Sequence, residues 1–537
     1  MTNLIDRRLI LGGASAASAA LFAPDAWAAT APKAGAVVDT AAGKVRGADR
    51  GGVHAFKGIP YGASTAGPRR FMAPAKAPAW TGVRDALAYG HQSPQNMSFT
   101  EVLAPQAPVS EGYSEDCLVL NVWAPDPTSR RKRPVMFWCH GGGFFQESGT
   151  WPWVEGEALA RRGDVVVVTV NHRLNLFGYL HLADMGGEKY AASGNAGMLD
   201  LVLALEWVRD NIGAFGGDPG QVMIFGESGG GAKVCTLLAM PSAKGLFHRA
   251  AAQSGSSVRS STREDANLMT AAFLKALEIP PARVDELQAL PPATLLAAMT
   301  TASRVQAAGP GGLRMGFQPV MDGRYVANHP FDPVASPLGA GVPMIVGCNK
   351  HEMALFSLND PAAFTMDEAE LRRRVVDYVG EANTAKVLDL YRQADPAASP
   401  SELYLLIGTD RFIRKTTITV TERKAAQPPP VYAYSFAWRS PALGGRLGAT
   451  HTVEIPFVFD NTDVPTVMTK GGPEVKVLAG QVSDAWIAFA HTGNPNHKGL
   501  PSWPAYDSTK RATMILDVNC RVENDPGGAK RRLWETL

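Results

Sequence analysis

One pentapeptide in the 537-residue chain has the residue types and spacing of a nucleophile. Gly226-Glu227-Ser228-Gly229-Gly230 is a G-x-S-x-G pattern that occurs once. It follows the apolar run Gln221 to Phe225 and precedes the helix-compatible stretch Gly231 to Met240. Between a strand and a helix, this pattern is a tight turn that lifts a serine oxygen clear of a sheet. Glycines flank it because a Cβ would collide with the strand or the helix. The helix start offers N–H groups and a positive dipole end to an anion. The chemistry that fits is attack on an acyl carbon, whose tetrahedral intermediate needs donors for its oxyanion. His140-Gly141-Gly142-Gly143-Phe144, at the end of the run Pro134 to Cys139, is a second glycine cluster able to lie flat against a carbonyl. We expect the N–H groups of Gly142, Gly143 and Gly229 to form the oxyanion hole. Either motif alone is compatible with a loop. Together, and in this order, they point to acyl transfer.

These residues must be held by strands and helices in alternation. Pro134 to Cys139, Asp164 to Val170, Gln221 to Phe225, Pro343 to Gly347 and Val431 to Phe436 are short apolar runs suited to buried parallel strands. Between them, Leu199 to Asn211 places Leu199, Val202, Leu203 and Trp207 on one helical face. The pattern predicts an α/β fold: a mainly parallel central sheet with helices on both faces. Ala36 to Gly58 alternates around glycines and reads as a small N-terminal antiparallel edge. Glu264 to Ala307 reads as a helical insertion over the sheet.

The chain resembles the type-B carboxylesterases, α/β-hydrolases that include bacterial para-nitrobenzyl esterases, animal carboxylesterases and cholinesterases. Phe215-Gly216-Gly217-Asp218-Pro219, Val222, Ile224 and Gly226 to Gly230 match the family's serine signature. Glu115-Asp116-Cys117-Leu118 through Asn121 to Pro125 match its second signature except at Val119, where Tyr, Thr or Phe is usual. Phe56 to Tyr61, Asn171-His172-Arg173, Gly493 to Asn496 and Trp503-Pro504 are further family-like stretches, so the likeness runs from about residue 36 to 517. The resemblance implies an α/β-hydrolase fold and a serine carboxylic-ester hydrolase working through an acyl-enzyme. It also implies the remaining site residues. Glu352, after the run Pro343 to Gly347, matches the family's acid, and His451 matches its base. Glu227 resembles a family glutamate beside the nucleophile. Ser228, Glu352, His451 is the chain order of α/β-hydrolases. Asp322 and Glu454 also lie near strand ends and stay open as alternative acids, although Asp322 reads better as a turn residue. His140 reads as structural.

Two departures stand out. Position 229 is Gly where many relatives have Ala. Cys117 matches a family half-cystine, but Ser93 stands where its partner is expected, which leaves Cys117 a free thiol. Met315, Phe317, Met353 and Phe356 read either as pocket lining or as core, core being the better reading.

Composition narrows the classes. The 52 basic and 50 acidic residues leave a formal charge of +2, which gives no electrostatic case for nucleic acid. Five scattered cysteines without a C-x-x-C predict neither a zinc ribbon nor a disulfide framework. Leu355 stands where an H-E-x-x-H beginning at His351 needs its second histidine, so no metal or other cofactor is expected. Arg7-Arg8, the stretch Leu9 to Ala23 and Ala26-Trp27-Ala28 read as a twin-arginine-like export signal over residues 1–28. One catalytic domain, 29–537, is then exported to the periplasm or beyond, with no stable membrane insertion. The partner is a small-molecule ester, and the oligomeric state stays open. Lactone, thioester, carbamate or amide cleavage shares the same intermediate and remains an alternative. A non-catalytic binding relative is disfavoured, because such relatives lose the serine or the histidine.

Overall fold

The structure, a computed structural model, describes residues 33–96, 112–129, 131–307, 316–464 and 468–537. The export segment, residues 1–28, and Met315 lie outside the described residues.

Thirteen strands join in one sheet among those residues. They are β1 (Lys33–Thr40), β2 (Gly43–Asp49), β3 (Val53–Pro60), β4 (Val83–Asp85), β5 (Val119–Pro125), β6 (Arg133–Cys139), β7 (Val166–Val170), β8 (Gly217–Glu227), β9 (Arg249–Gln253), β10 (Met344–Asn349), β11 (Val431–Phe436), β12 (Ala512–Leu516) and β13 (Arg521–Asn524). The spatial order is β1-β2-β3-β5-β7-β6-β8-β9-β10-β11-β12-β13, with β4 beside β2. From β7 to β12 every pairing is parallel. The N-terminal edge, β1 to β5, is antiparallel apart from β4, as its alternating sequence predicts. A second antiparallel edge, β12 with β13, closes the other side.

Side-chain alternation along the strands divides the core in two. Val135, Phe137 and Cys139 of β6 face the layer containing the helices Ala196–Asn211 and Gly229–Leu237. Met136 and Trp138 face the opposite layer, built on the helix Pro473–Thr492. A parallel strand with helices on both sides must be apolar on both faces, and all seven residues of β6 are buried. The helix Ala196–Asn211 is more enclosed than its one-sided pattern predicts: even Asp200 is fully buried. Asp200 is there because Arg173 needs it. The guanidinium donates to Asp200 at 2.9 and 2.6 Å and to the Met72 carbonyl at 2.7 Å. Glu115 likewise forms a two-pronged pair with buried Arg70, at 2.6 and 2.5 Å. Two of the family-like stretches therefore do structural work.

The predicted insertion is present as the helices Arg263–Ala276 and Pro292–Ala307. All five cysteines are free thiols, and Cys117 is buried. Among the described residues no helix is long and apolar enough to cross a membrane.

Candidate active site

The ends of four parallel strands, β6, β8, β10 and β11, deliver the site residues, with β9 lying between β8 and β10. β8 ends at Glu227, and Ser228 is the turn into the helix Gly229–Leu237. Its backbone sits at φ 56°, ψ −123°, outside the favoured regions, which costs on the order of 1–3 kcal/mol. The surroundings hold it there: the Ser228 N–H donates to the Gln253 carbonyl at the end of β9, 2.8 Å. The expected glycine requirement is met in a particular way. A Cβ on Gly226 would lie 2.5 Å from the Cys139 carbonyl oxygen, and one on Gly230 would collide with the same atom. The turn is thus pressed against the end of β6, where the loop His140 to Phe144 begins.

In that loop Gly142 and Gly143 both have left-handed backbones, φ 70° and 62°. The Gly142 carbonyl accepts from the N–H groups of Phe145 (3.3 Å) and Gln146 (3.1 Å). Among the described residues, the N–H groups of Gly142, Gly143 and Gly229 meet no protein acceptor. His140 is buried, stacks on His172 at 4.7 Å and lies along the wall of the cavity that holds Ser228.

The acid and histidine loops are stitched to each other. The His351 N–H donates to the Ala449 carbonyl (2.9 Å), and the Ala449 N–H donates back to His351 Nδ1 (3.0 Å). His351 is thereby engaged in holding the loops together. Glu352, fully buried, takes the Asn349 N–H on Oε1 (2.6 Å) and the His451 Nδ1 proton on Oε2 (2.6 Å). The two alternative acids lie elsewhere. Asp322 caps its own turn, accepting the N–H groups of Arg324, Tyr325 and Val326. Glu454 accepts from Asn349 Nδ2 (2.6 Å) and Gln253 Nε2 (3.3 Å).

On the other side of the imidazole, Nε2 is 3.3 Å from Glu227 Oε1, too poorly aligned for a hydrogen bond. Among the described residues no hydrogen bond joins Ser228 to His451; such contacts often close only with substrate bound. Burial holds Glu227 well above the usual carboxylate range, against the pull of His451. Burial also raises Glu454, to about 7. For His451 burial acts downward, but Glu227 and Glu352 outweigh it and hold the imidazole at about 9. Of those two, Glu352 is the partner with a closed hydrogen bond, and it is the one we take to support the imidazolium.

Ser228, His451 and the three loop glycines open on a cavity of about 380 Å³. Its walls are aromatic. Trp151 and Trp153 stack at 5.0 Å, Phe145 is half exposed at the mouth, and the Phe356 ring lies 4.8 Å from His451. Phe356 therefore lines the pocket. Phe317 packs on Phe273 and Met353 on the second core layer, so these two belong to the core. The tryptophans were missed on sequence. Their signal was the aromatic cluster Trp151-Pro152-Trp153 shortly after the glycine loop. A larger cavity, about 670 Å³, lies under the C-terminal helix and includes neither Ser228 nor His451. Of these two cavities, the smaller one is lined by both Ser228 and His451.

A strained serine at a strand–helix turn, an imidazole bonded to a buried carboxyl and a glycine loop with free N–H groups together define a serine hydrolase on the α/β-hydrolase fold. The chain belongs to the carboxylesterase family, whose model matches residues 34–534. It is 39% identical to the para-nitrobenzyl esterase of Bacillus subtilis (strain 168), over 92% of this chain and 98% of that one. The crystal structure of a Geobacillus stearothermophilus carboxylesterase superposes with a TM-score of 0.80 at 41% identity, covering 93% of this chain and 99% of its own. An esterase from Clostridium hathewayi, described as able to hydrolyse aliphatic aromatic polyesters, gives 0.79 at 37%, covering 94% and 100%. The protein is an enzyme that hydrolyses carboxylic esters.

Proposed function

We propose that Ser228 is the nucleophile, His451 the general base and Glu352 the acid that orients it. The observation that carries this reading is the 2.6 Å bond from His451 Nδ1 to Glu352 beside the strained Ser228 turn. His451 Nε2 takes the Ser228 proton as the oxygen attacks the ester carbonyl. The N–H groups of Gly142, Gly143 and Gly229 receive the oxyanion. The intermediate collapses, and the alcohol leaves with the proton from His451. Water, deprotonated by His451, then attacks the acyl-Ser228, and the carboxylic acid departs with Ser228 reprotonated. Glu227 stands beside Nε2 as a supporting carboxyl.

The pocket sets the substrate class. About 380 Å³ is near the lower end for ligand sites, so small to medium esters fit. The stacked tryptophans and Phe145 favour an aromatic acyl or alcohol group, as the name of the para-nitrobenzyl esterase suggests for that relative. The test follows p-nitrophenyl release from acetate, butyrate and octanoate esters with EDTA present. Acetate and butyrate are expected to react fastest, and Ser228→Ala to abolish all release above background. Full release by Ser228→Ala contradicts the assignment.

A further inference from the structure

The helix that begins behind Ser228 carries a lysine in an otherwise apolar run, Gly229 to Met240. Lys233 is fully buried, and among the described residues no carboxylate forms an ion pair with it. An ammonium is costly in such a place unless each N–H is matched. Here all three donors have acceptors, and all three belong to the oxyanion loop. Nζ donates to the carbonyls of His140 (2.8 Å), Gly143 (2.9 Å) and Gly141 (3.3 Å). Nζ also lies over the Phe144 ring, 5.6 Å from the centroid, and burial pulls the lysine down to about 7. The loop lies between the lysine and the cavity: Gly141, Gly142 and Gly143 line the cavity, and Lys233 does not.

Peptide geometry turns this into an orientation. In a planar trans peptide the carbonyl of one residue and the N–H of the next point in opposite directions. With the Gly141 carbonyl drawn to Lys233 (3.3 Å) and to His140 Nδ1 (3.1 Å), the Gly142 N–H is turned the opposite way, toward the cavity. The Gly142 carbonyl is fixed separately by the Phe145 and Gln146 N–H groups, which sets the Gly143 N–H. The third carbonyl accounts for the departure at position 229. A Cβ on Gly229 would collide with the Gly143 oxygen, the same atom that Lys233 holds. Glycine at 229 lets the loop settle onto the helix, and the lysine four residues on pins it there.

We propose that Lys233 is a positioning residue for the oxyanion hole, fixing the peptide planes of the His140 to Phe144 loop so that its N–H groups are aimed before substrate arrives. The proposal rests on the assignment of the hole to Gly142, Gly143 and Gly229. Its effect belongs to the transition state, because donors fixed in advance need no reorganisation as charge develops.

The test pairs kinetics with a trifluoromethyl ketone, which adds to the serine and places an oxyanion in the hole. Lys233→Met keeps the apolar stem and removes every donor. We expect kcat and ketone affinity to fall together by roughly 10²-fold, the loss typical of one missing oxyanion donor, with KM little changed. Lys233→Gln retains two amide N–H groups and is expected to fall between the two. Wild-type kcat in a folded Lys233→Met, or a loss of kcat without loss of ketone affinity, overturns the proposal. Should Lys233→Met not fold, Lys233→Gln carries the same comparison alone: joint loss supports the role, and unchanged ketone affinity overturns it. Ser228→Ala serves as the separate control. If that variant still hydrolyses esters, it is the site assignment that has failed, and the lysine's role falls with it.

Discussion

At His451 two buried carboxyls, Glu227 and Glu352, approach one imidazole while a third, Glu454, bonds to side-chain amides, and the three do not act alike. Glu227 is raised well above the carboxylate range by burial, and Glu454 sits at about 7 among amide donors. Glu352 alone closes a hydrogen bond to the ring. With His451 as the proposed general base, hydrolysis needs it neutral, so kcat/KM should rise with pH along a limb set by that histidine, which is held at about 9. Removing the Glu352 anion disfavours the imidazolium. In Glu352→Gln the limb therefore moves to lower pH, while kcat falls by about 10⁴, the loss seen when a triad acid becomes an amide. A background-corrected pH–rate profile of both proteins checks this. An unmoved limb would assign the titration to another group.

At the scale of elements, the site is an outcome of strand ends meeting on one edge of the sheet. β6 leads into the glycine loop, β8 into Ser228 and β10 into the Glu352 loop; the His451 loop follows β11. The strands that carry this chemistry were legible because their apolar, often β-branched residues suit no other environment. β9 was not: Ala250, Ala251 and Ala252 have little strand preference, and only their enclosure between β8 and β10 makes them one. The proposed nucleophile, Ser228, was readable from local turn chemistry. Glu352 and His451 were reachable only through family resemblance, because their meeting is a long-range event with no local signal. Lys233 went unread because a lone lysine on a helix ordinarily lies in solvent. The buried pair beneath the sheet gives a stability prediction. Asp200→Ala leaves the Arg173 guanidinium buried and unpaired, which is expected to cost about 3–5 kcal/mol in urea unfolding. A loss under 1 kcal/mol would mean that water or another acceptor replaces the carboxylate.

For the whole molecule, nearly all of the chain serves one sheet and one pocket. The near-neutral charge and the five unpaired thiols agree with a small neutral substrate and with a fold that needs no disulfide. The central claim is that an acyl group passes through Ser228. The most direct measurement is mass spectrometry of the enzyme after reaction with diethyl p-nitrophenyl phosphate, which phosphorylates an activated serine irreversibly. One diethylphosphoryl group per chain is expected, on the peptide containing Ser228, with loss of activity in step with labelling and no labelling of that peptide in Ser228→Ala. Inactivation with the label on a different residue, or full labelling of the variant, would contradict the account.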